Sequence, residues 1–579
     1  MFTRNLMAST LIISGFCYSN SQSADAYAPE LASGVQAKTE VTAKKFMVSA
    51  ANPLAVEAGY EVLKAGGNAV DAMIAVQSVL GLVEPQSSGI GGGAFVVYYD
   101  AAKQQLTTFD ARETAPSQVD AGLFLDQQGK PLKFYDAVVG GRSVGTPGVI
   151  ALFEEMHQRY GSSNWQDLFK PAIGLAKEGF RVSPRLAKLI AGDAERLGRY
   201  PTSRDYFFDD SAEPLREGHL LQNPDYASTL KLVAEQGASG FYQGDTAKAI
   251  VAAVGQFNDN PGLLSEKDLA NYQVKQRPAL CSAYFQYSIC GMGPPSSGAS
   301  TVGQILGIAA HYPLADWGPN NPQSWRILGD ASRLAFADRG AYLADSDFVD
   351  VPLSNLLSPE YLAKRAKLLS GDKALTSVSP GELPLNAYRS MDQSLELPST
   401  THISIVDAQG NVLSMTSSIE NAFGSRVFVK GFLLNNQLTD FSFVAEKNGK
   451  KVANGVAANK RPRSSMAPTV VMENKQPIIA IGSPGGSSII GYVAQSLVNH
   501  LSWGMSLQQA IEQPHLNNRF GTFELEANTA AADQQLALEA LGYKTKIKDM
   551  TSGLQGIRIY PDRLEGAADP RREGIAKGD

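Results

Sequence analysis

The stretch "SLELPSTTHISIVDAQGNVLSMTSSI", residues 394–419, changes character in its middle. Up to Ser399 it belongs to a run, 371–399, that collects Ser, Pro, Gly and Asp without apolar periodicity, which predicts a long exposed linker. From Thr401 apolar and polar residues alternate through "THISIVD", a turn at "AQGN", and "VLSMTSS", which predicts a hairpin with one face buried. A polar linker running straight into the first strand of a β-rich region has the layout of a cleavable junction. A threonine hydroxyl is a poor nucleophile until a base takes its proton, and a cut between Ser399 and Thr400 would create an α-amine beside the Thr400 hydroxyl. Such an amine titrates near 7.7 to 8.0, so an appreciable neutral fraction exists at neutral pH. His402, two places along the strand, points to the same face as Thr400 but is not needed once the amine serves as base. Thr-Thr ahead of a strand is also ordinary β-propensity, so the junction by itself leaves both readings open.

Outward from the junction, further short strands are expected at "RVFVKGFLLNN", "APTVVME" and "QPIIAIGS", with helices near 488–513 and 531–541. On the other side, residues 146 to about 380 read as mainly helical. Nearer the start come a helix broken at Gly66-Gly67, a second from Asn68 to about Leu82, a glycine loop and a strand. Residues 89–94, "GIGGGA", formally match a dinucleotide fingerprint, but that motif needs a strand before the loop and a helix after it, and here the order is reversed. "GRSVG", Gly141 to Gly145, matches a serine-esterase elbow with Ser143 as nucleophile. The elbow's helix starts directly after its serine, whereas Thr146-Pro147 read as the N-cap and first helical residue.

Composition narrows the classes. The 579 residues carry 51 basic and 57 acidic side chains for a net charge of -6, with no basic face for nucleic acid. Residues 1–26 read as an export signal, with Arg4, an apolar "LMASTLIISGF" and Ala24/Ala26 at a processing site. No later run reaches the ~20 apolar residues of a membrane span. A soluble exported protein, periplasmic or secreted, is therefore expected. Export permits a disulfide, and the short hairpin in "RPALCSAYFQYSICG" would bring Cys281 and Cys290 together; two reduced thiols are the other reading. Six scattered histidines offer no pair at metal-ligand spacing, so no metal or other cofactor is expected.

"TTHISIVDAQGNVLSMTSSI", "LLNNQLTDFS", "NKRPRSSMAPT" and "GSPGGS", in that order, resemble the small subunit of the γ-glutamyltranspeptidases, which are self-processing N-terminal-nucleophile hydrolases. The likeness extends through "PLAVEAGYEVLKAGGNAVDAMIA", "DARETAP", "GTPG", "PPSSG", "FADRGAYLADSDFV" and "GAADPR". It implies an α/β, four-layer αββα sandwich with one core built from two fragments, a large subunit 27–399 and a small subunit 400–579. It also implies γ-glutamyl transfer from glutathione or similar compounds to water, amino acids or peptides. Thr400 falls at the position of the nucleophile, with Ser399 before the cut. Ser418 stands where the family has a supporting threonine, and Gly485 and Gly486 match the oxyanion hole. For the donor's α-carboxylate the match is Arg112 with Ser464 and Ser465. For its α-ammonium it is Asp440 with Gln437 and Glu420. Many members have Asn where this chain has Glu420, and the stretch between Asp440 and Ser464 looks shortened, Lys-rich and without tyrosine, which implies a more open site. Within the family, a cephalosporin-type acylase or a poly-γ-glutamate depolymerase would share the nucleophile and differ in the binding lobes. A non-enzymatic exported binding protein is the remaining alternative.

Overall fold

The computed structural model describes residues 34–257, 259–383, 390–392, 394, 397 and 399–579. The expected export signal, 1–26, lies outside them. Fourteen strands make two seven-stranded antiparallel sheets. In chain order they are β1 (Val41–Ala43), β2 (Met47–Ala50), β3 (Gly93–Asp100), β4 (Gln105–Ala111), β5 (Lys275–Pro278), β6 (Leu280–Tyr284), β7 (Tyr287–Gly291), β8 (Thr401–Val406), β9 (Val412–Ser418), β10 (Thr469–Glu473), β11 (Gln476–Gly482), β12 (Gln555–Ile559), β13 (Leu564–Ala568) and β14 (Ile575–Gly578). One sheet runs β1-β13-β12-β11-β10-β7-β6 and the other β14-β2-β8-β9-β3-β4-β5.

Three apolar interfaces hold the layers. Met47, Val97, Val406, Val412, Val470 and Ile557 pack between the sheets. Helices α1 (Pro53–Lys64) and α2 (Ala69–Val83) cover the second sheet, packing Val56, Met73 and Val76 against Ile403, Ile405 and Met415. Helices α3 (Gly298–Ala309), α4 (Pro322–Tyr342) and α5 (Ile489–Leu501) cover the first with Ile305, Leu334 and Val493. The order helix, sheet, sheet, helix is the four-layer αββα sandwich expected. The α2 start follows from its sequence: the Asn68 side chain accepts from the Val70 and Asp71 N–H groups while the Asp71 carboxylate returns to the Asn68 N–H.

Several expectations need correction. The β8–β9 hairpin, paired from Thr401↔Ser417 to Val406↔Val412, is buried on both faces rather than one, because it lies mid-sheet with α2 on one side and the other sheet opposite. Its polar alternate positions are buried and mutually satisfied. His402 Nδ1 meets Thr416 Oγ1 at 2.8 Å and its Nε2 meets Ser404 Oγ at 3.1 Å, while Ser414 donates to the Ile481 carbonyl at 3.2 Å. The linker's end is not exposed either: Leu397, Ser399 and Thr400 are 8%, 0% and 3% accessible. Asp392 anchors it, 2.7 Å from Arg463 and accepting from Asn454 at 2.9 Å. After "GRSVG" the helix begins at Val149 with Gly148 as N-cap, not at Thr146, and Ser143 is buried and donates to the Val138 carbonyl at 2.6 Å.

The glycine loop is explained by crowding. A Cβ on Gly91 would lie 2.1 Å from the Leu433 oxygen, one on Gly92 2.2 Å from the Ser418 oxygen, and one on Gly93 2.5 Å from Glu113 Oε2. Cys281 and Cys290 face each other across β6–β7 and are disulfide-bonded. No helix among the described residues is long and apolar enough to cross a membrane.

Candidate active site

Thr400 and Ser418 close the β8–β9 ladder on the face that looks toward the other sheet, so both hydroxyls stand at the mouth between the sheets. Ser418 Oγ donates to the Ser399 carbonyl at 2.7 Å, accepts from Thr400 Oγ1 at 3.4 Å, and accepts from the Glu420 N–H at 2.8 Å. One hydroxyl thus links the Thr400 hydroxyl to the carbonyl of the bond before it. Glu420 has φ 81°, a left-handed conformation uncommon for a side-chain-bearing residue, and this bends the chain so that its N–H returns to Ser418.

In front of Thr400 is a small cavity lined by Arg112, Ser418, Glu420, Asp440 and Gly486 among others. Arg112, just past β4, is fully buried. Its Nη2 lies 2.5 Å from Asp440 Oδ2 and 3.0 Å from the Arg463 carbonyl, and its Nε 3.1 Å from that of Pro462. Gln437 Nε2 donates to the same Asp440 oxygen at 2.8 Å. Glu420 accepts from Asn436 Nδ2 at 2.8 Å and from the Leu397 N–H at 3.3 Å. Burial first, then the Asp440 charge, pushes its carboxyl well above the ordinary carboxylate range. Behind Arg112, burial raises Glu113 to about 8 against the opposing pull of that arginine.

Ser464 and Ser465 line the same cavity, and α3 and α4 fix them. The Ser297 N–H and hydroxyl donate to the Ser464 carbonyl at 2.8 and 2.7 Å, and Arg339 Nη2 donates to Ser465 Oγ at 2.8 Å. Gly485 and Gly486 turn the chain from β11 into α5 with φ 138° and 54°, and a Cβ on Gly485 would meet the Tyr492 ring at 2.7 Å. His402 is excluded from acid–base work by its bonds within the hairpin and by burial, which lowers it to about 3.

The structure therefore brings the ten expected site residues to one place: nine line or border the cavity directly, and Gly485 sits in the turn beside Gly486. The segment between Asp440 and Ser464 is the Lys-rich stretch without tyrosine noted in the sequence. Its tip, 446–451, and Asn459 are exposed, while Lys460, Arg461 and Arg463 are buried. Lys460 Nζ donates to the Ala453 and Gly455 carbonyls at 2.7 and 2.9 Å. Sequence reasoning missed Asn436, Glu113 and Arg339, although each lies inside a motif already quoted, and Arg572, which follows one.

The family model described as Gamma-glutamyltranspeptidase matches residues 55–579. The chain is 36% identical over 549 residues to a glutathione hydrolase proenzyme of Bacillus subtilis (strain 168), covering 92% of each chain. To the glutathione hydrolase proenzyme of Escherichia coli (strain K12) it is 34% identical, covering 98% of this chain and 97% of that one. Among solved structures, a cephalosporin acylase from Bacillus halodurans superposes with a TM-score of 0.82 at 26% identity, covering 96% of this chain and 99% of that one. A match over most of the chain's length, on the fold and cavity described, makes it an enzyme of the γ-glutamyltranspeptidase family.

Proposed function

We propose that the chain cuts itself between Ser399 and Thr400 and then transfers γ-glutamyl groups from glutathione and related compounds to water or to amino-acid and peptide amines. The observation that carries this reading is the Ser418 hydroxyl, which joins Thr400 Oγ1 to the Ser399 carbonyl at the foot of a cavity holding both a buried arginine and a carboxyl pair. In the first step Thr400 Oγ1 attacks the Ser399 carbonyl carbon. The C–N bond breaks as the C–O bond forms, the hydroxyl proton passes to the nitrogen, and water opens the ester to leave a Ser399 carboxylate and a free Thr400 amine. Ser418 donates to the oxygen on which negative charge develops.

In turnover the amine takes the Thr400 hydroxyl proton as Oγ1 attacks the donor's γ-carbonyl, then delivers it to the leaving amine. The resulting γ-glutamyl ester passes to water or to an acceptor amine. Gly485 and Gly486 present backbone N–H groups to the oxyanion. The donor's head group replaces the Arg112–Asp440 pair: its carboxylate takes Arg112 with Ser464 and Ser465, its ammonium takes Asp440, Glu420 and Gln437. A signal at 1–26, a large fragment 27–399 and a small one 400–579, joined as a heterodimer outside the cytoplasm, complete the proposal.

Mass spectrometry of the purified protein is expected to find a fragment beginning at Thr400, and Thr400→Ala to remain one inactive chain. A wild type that never splits overturns the mechanism. The likeness to a cephalosporin acylase supports a second reading, hydrolysis of an acyl side chain. Glutaryl amides, which lack the α-ammonium, separate the two: the carboxyl pair favours γ-glutamyl anilides over them.

A further inference from the structure

The carbonyl oxygen of Thr400 is held by a residue that the functional reading above does not use. Arg572, 1% accessible, donates from Nη1 to that oxygen at 3.2 Å and from Nη2 to the Thr551 carbonyl at 3.2 Å. Its neighbour Arg571 turns the other way, to Glu526 and Asp569. The Arg572 arm has a built channel. A Cβ on Gly553 would lie 2.6 Å from Arg572 Cδ and 2.6 Å from Pro484 Cγ, so one glycine lets the arginine and the Pro484–Gly486 turn share a wall. The loop it braces against is rigid: Ser552 Oγ lies 2.6 Å from both Asp569 Oδ2 and His515 Nε2.

We propose that Arg572 is a positioning residue for Thr400, fixing the N-terminal nucleophile through its carbonyl oxygen; this rests on Thr400 being that nucleophile. Once the chain is cut, Thr400 is held at its amino end by no peptide bond, and the orientation of amine and hydroxyl depends on what grips the rest of the residue. The guanidinium supplies that grip, and it carries charge. Covalent geometry limits the distance from a residue's carbonyl oxygen to its own nitrogen to roughly 3.7 Å, which places the new amine within about 7 Å of Arg572 Nη1. A cation at that range disfavours the ammonium form and so keeps the amine available as a base.

Among the described residues, the other charges near Thr400 are met by partners or lie on neutral groups. In the cavity Arg112 is paired with Asp440, and burial together with the Asp440 charge holds the Glu420 carboxyl well above the ordinary carboxylate range. On the β8–β9 side His402 is neutral. On the C-terminal side Asp569 is taken by Arg571, Glu573 accepts from the Arg185 N–H at 3.1 Å, and the charges of both acids act on Lys38. Arg572 is the cation in contact with Thr400 itself.

The test is the pH profile of kcat/KM for a γ-glutamyl anilide, measured with the rate of self-cleavage on Arg572→Gln and Arg572→Lys. Arg572→Gln is expected to cleave at least tenfold more slowly and to move the acid limb up by about one pH unit, because the amine then holds its proton more tightly. Arg572→Lys keeps the charge but not the two-pronged grip, so kcat falls while the limb stays within about 0.3 units of wild type. A folded Arg572→Gln with an unmoved acid limb and wild-type cleavage overturns the proposal. If Arg572→Gln does not fold, Arg572→Lys decides: lowered kcat at an unmoved limb supports it, and wild-type kcat refutes it. Failure of the underlying reading looks different, since a Thr400→Ala enzyme that still turned over would remove the nucleophile whatever Arg572 does.

Discussion

At the scale of single residues, Ser418 stands in two relations at once, hydrogen-bonded to the proposed nucleophile, Thr400, and to the carbonyl it would attack. Its removal tests the second relation. Ser418→Ala should slow self-cleavage by about 10²-fold, the usual cost of one lost donor on a developing oxyanion, and Ser418→Thr should restore most of it; time courses on denaturing gels read both. Glu420 makes a pH prediction. Its carboxyl is held above the normal range, so it is neutral at low pH and gains charge as pH rises. A donor ammonium favours the charged form, so KM for the donor should fall as pH rises through that ionisation. Glu420→Gln should flatten this dependence and leave KM roughly tenfold higher on the alkaline side, the scale of one hydrogen bond to a charged group. A wild-type KM independent of pH would contradict the role.

Among elements, the junction between the glycine loop and β9 is a tight point next to the site. A Cβ on Gly92 would lie 2.2 Å from the Ser418 oxygen and 3.0 Å from its carbonyl carbon, and backbone cannot swing aside as a side-chain tip can. Gly92→Ala should cost about 1–3 kcal/mol as overpacking and displace Ser418 with it. Its self-cleavage should therefore slow more than that of Gly329→Ala, whose Cβ would press on the Phe523 ring at 2.5 Å, away from the site. Equal rates would refute the argument. The same junction shows how much was legible in sequence. The α2 start near Asn68, the hairpin turn at "AQGN" and the reversed order around "GIGGGA" are local signals, and the structure keeps them. The burial of both hairpin faces was not legible, because alternation reports two environments without saying whether the polar one is water or a hydrogen-bonded interior. Arg572 was missed for a related reason: its partner is a backbone carbonyl 172 positions away, and a carbonyl leaves no mark in the sequence.

For the molecule as a whole, the position of the proposed cut matters more than its chemistry. Strands β8 and β9, after it, lie between β2 and β3, before it; β6, β7 and β1 complete a sheet whose other members all come after it. Neither fragment owns a finished sheet. Wild type should thus run as one 1:1 species in native mass spectrometry and as two bands after denaturation, with separation only at denaturant concentrations that unfold the enzyme. Fragments parting under native conditions would contradict the interleaving. The scissile bond itself is enclosed, with Ser399 fully inaccessible. A bond so buried is a poor target for an external protease, and under the proposed mechanism the groups that would open it meet only after both sheets have closed. Under the proposed self-cleavage each divided chain is a permanent record that one molecule reached its folded state. The proportion of undivided chain in a crude extract then measures the yield of folding, with no purification and no assay of activity.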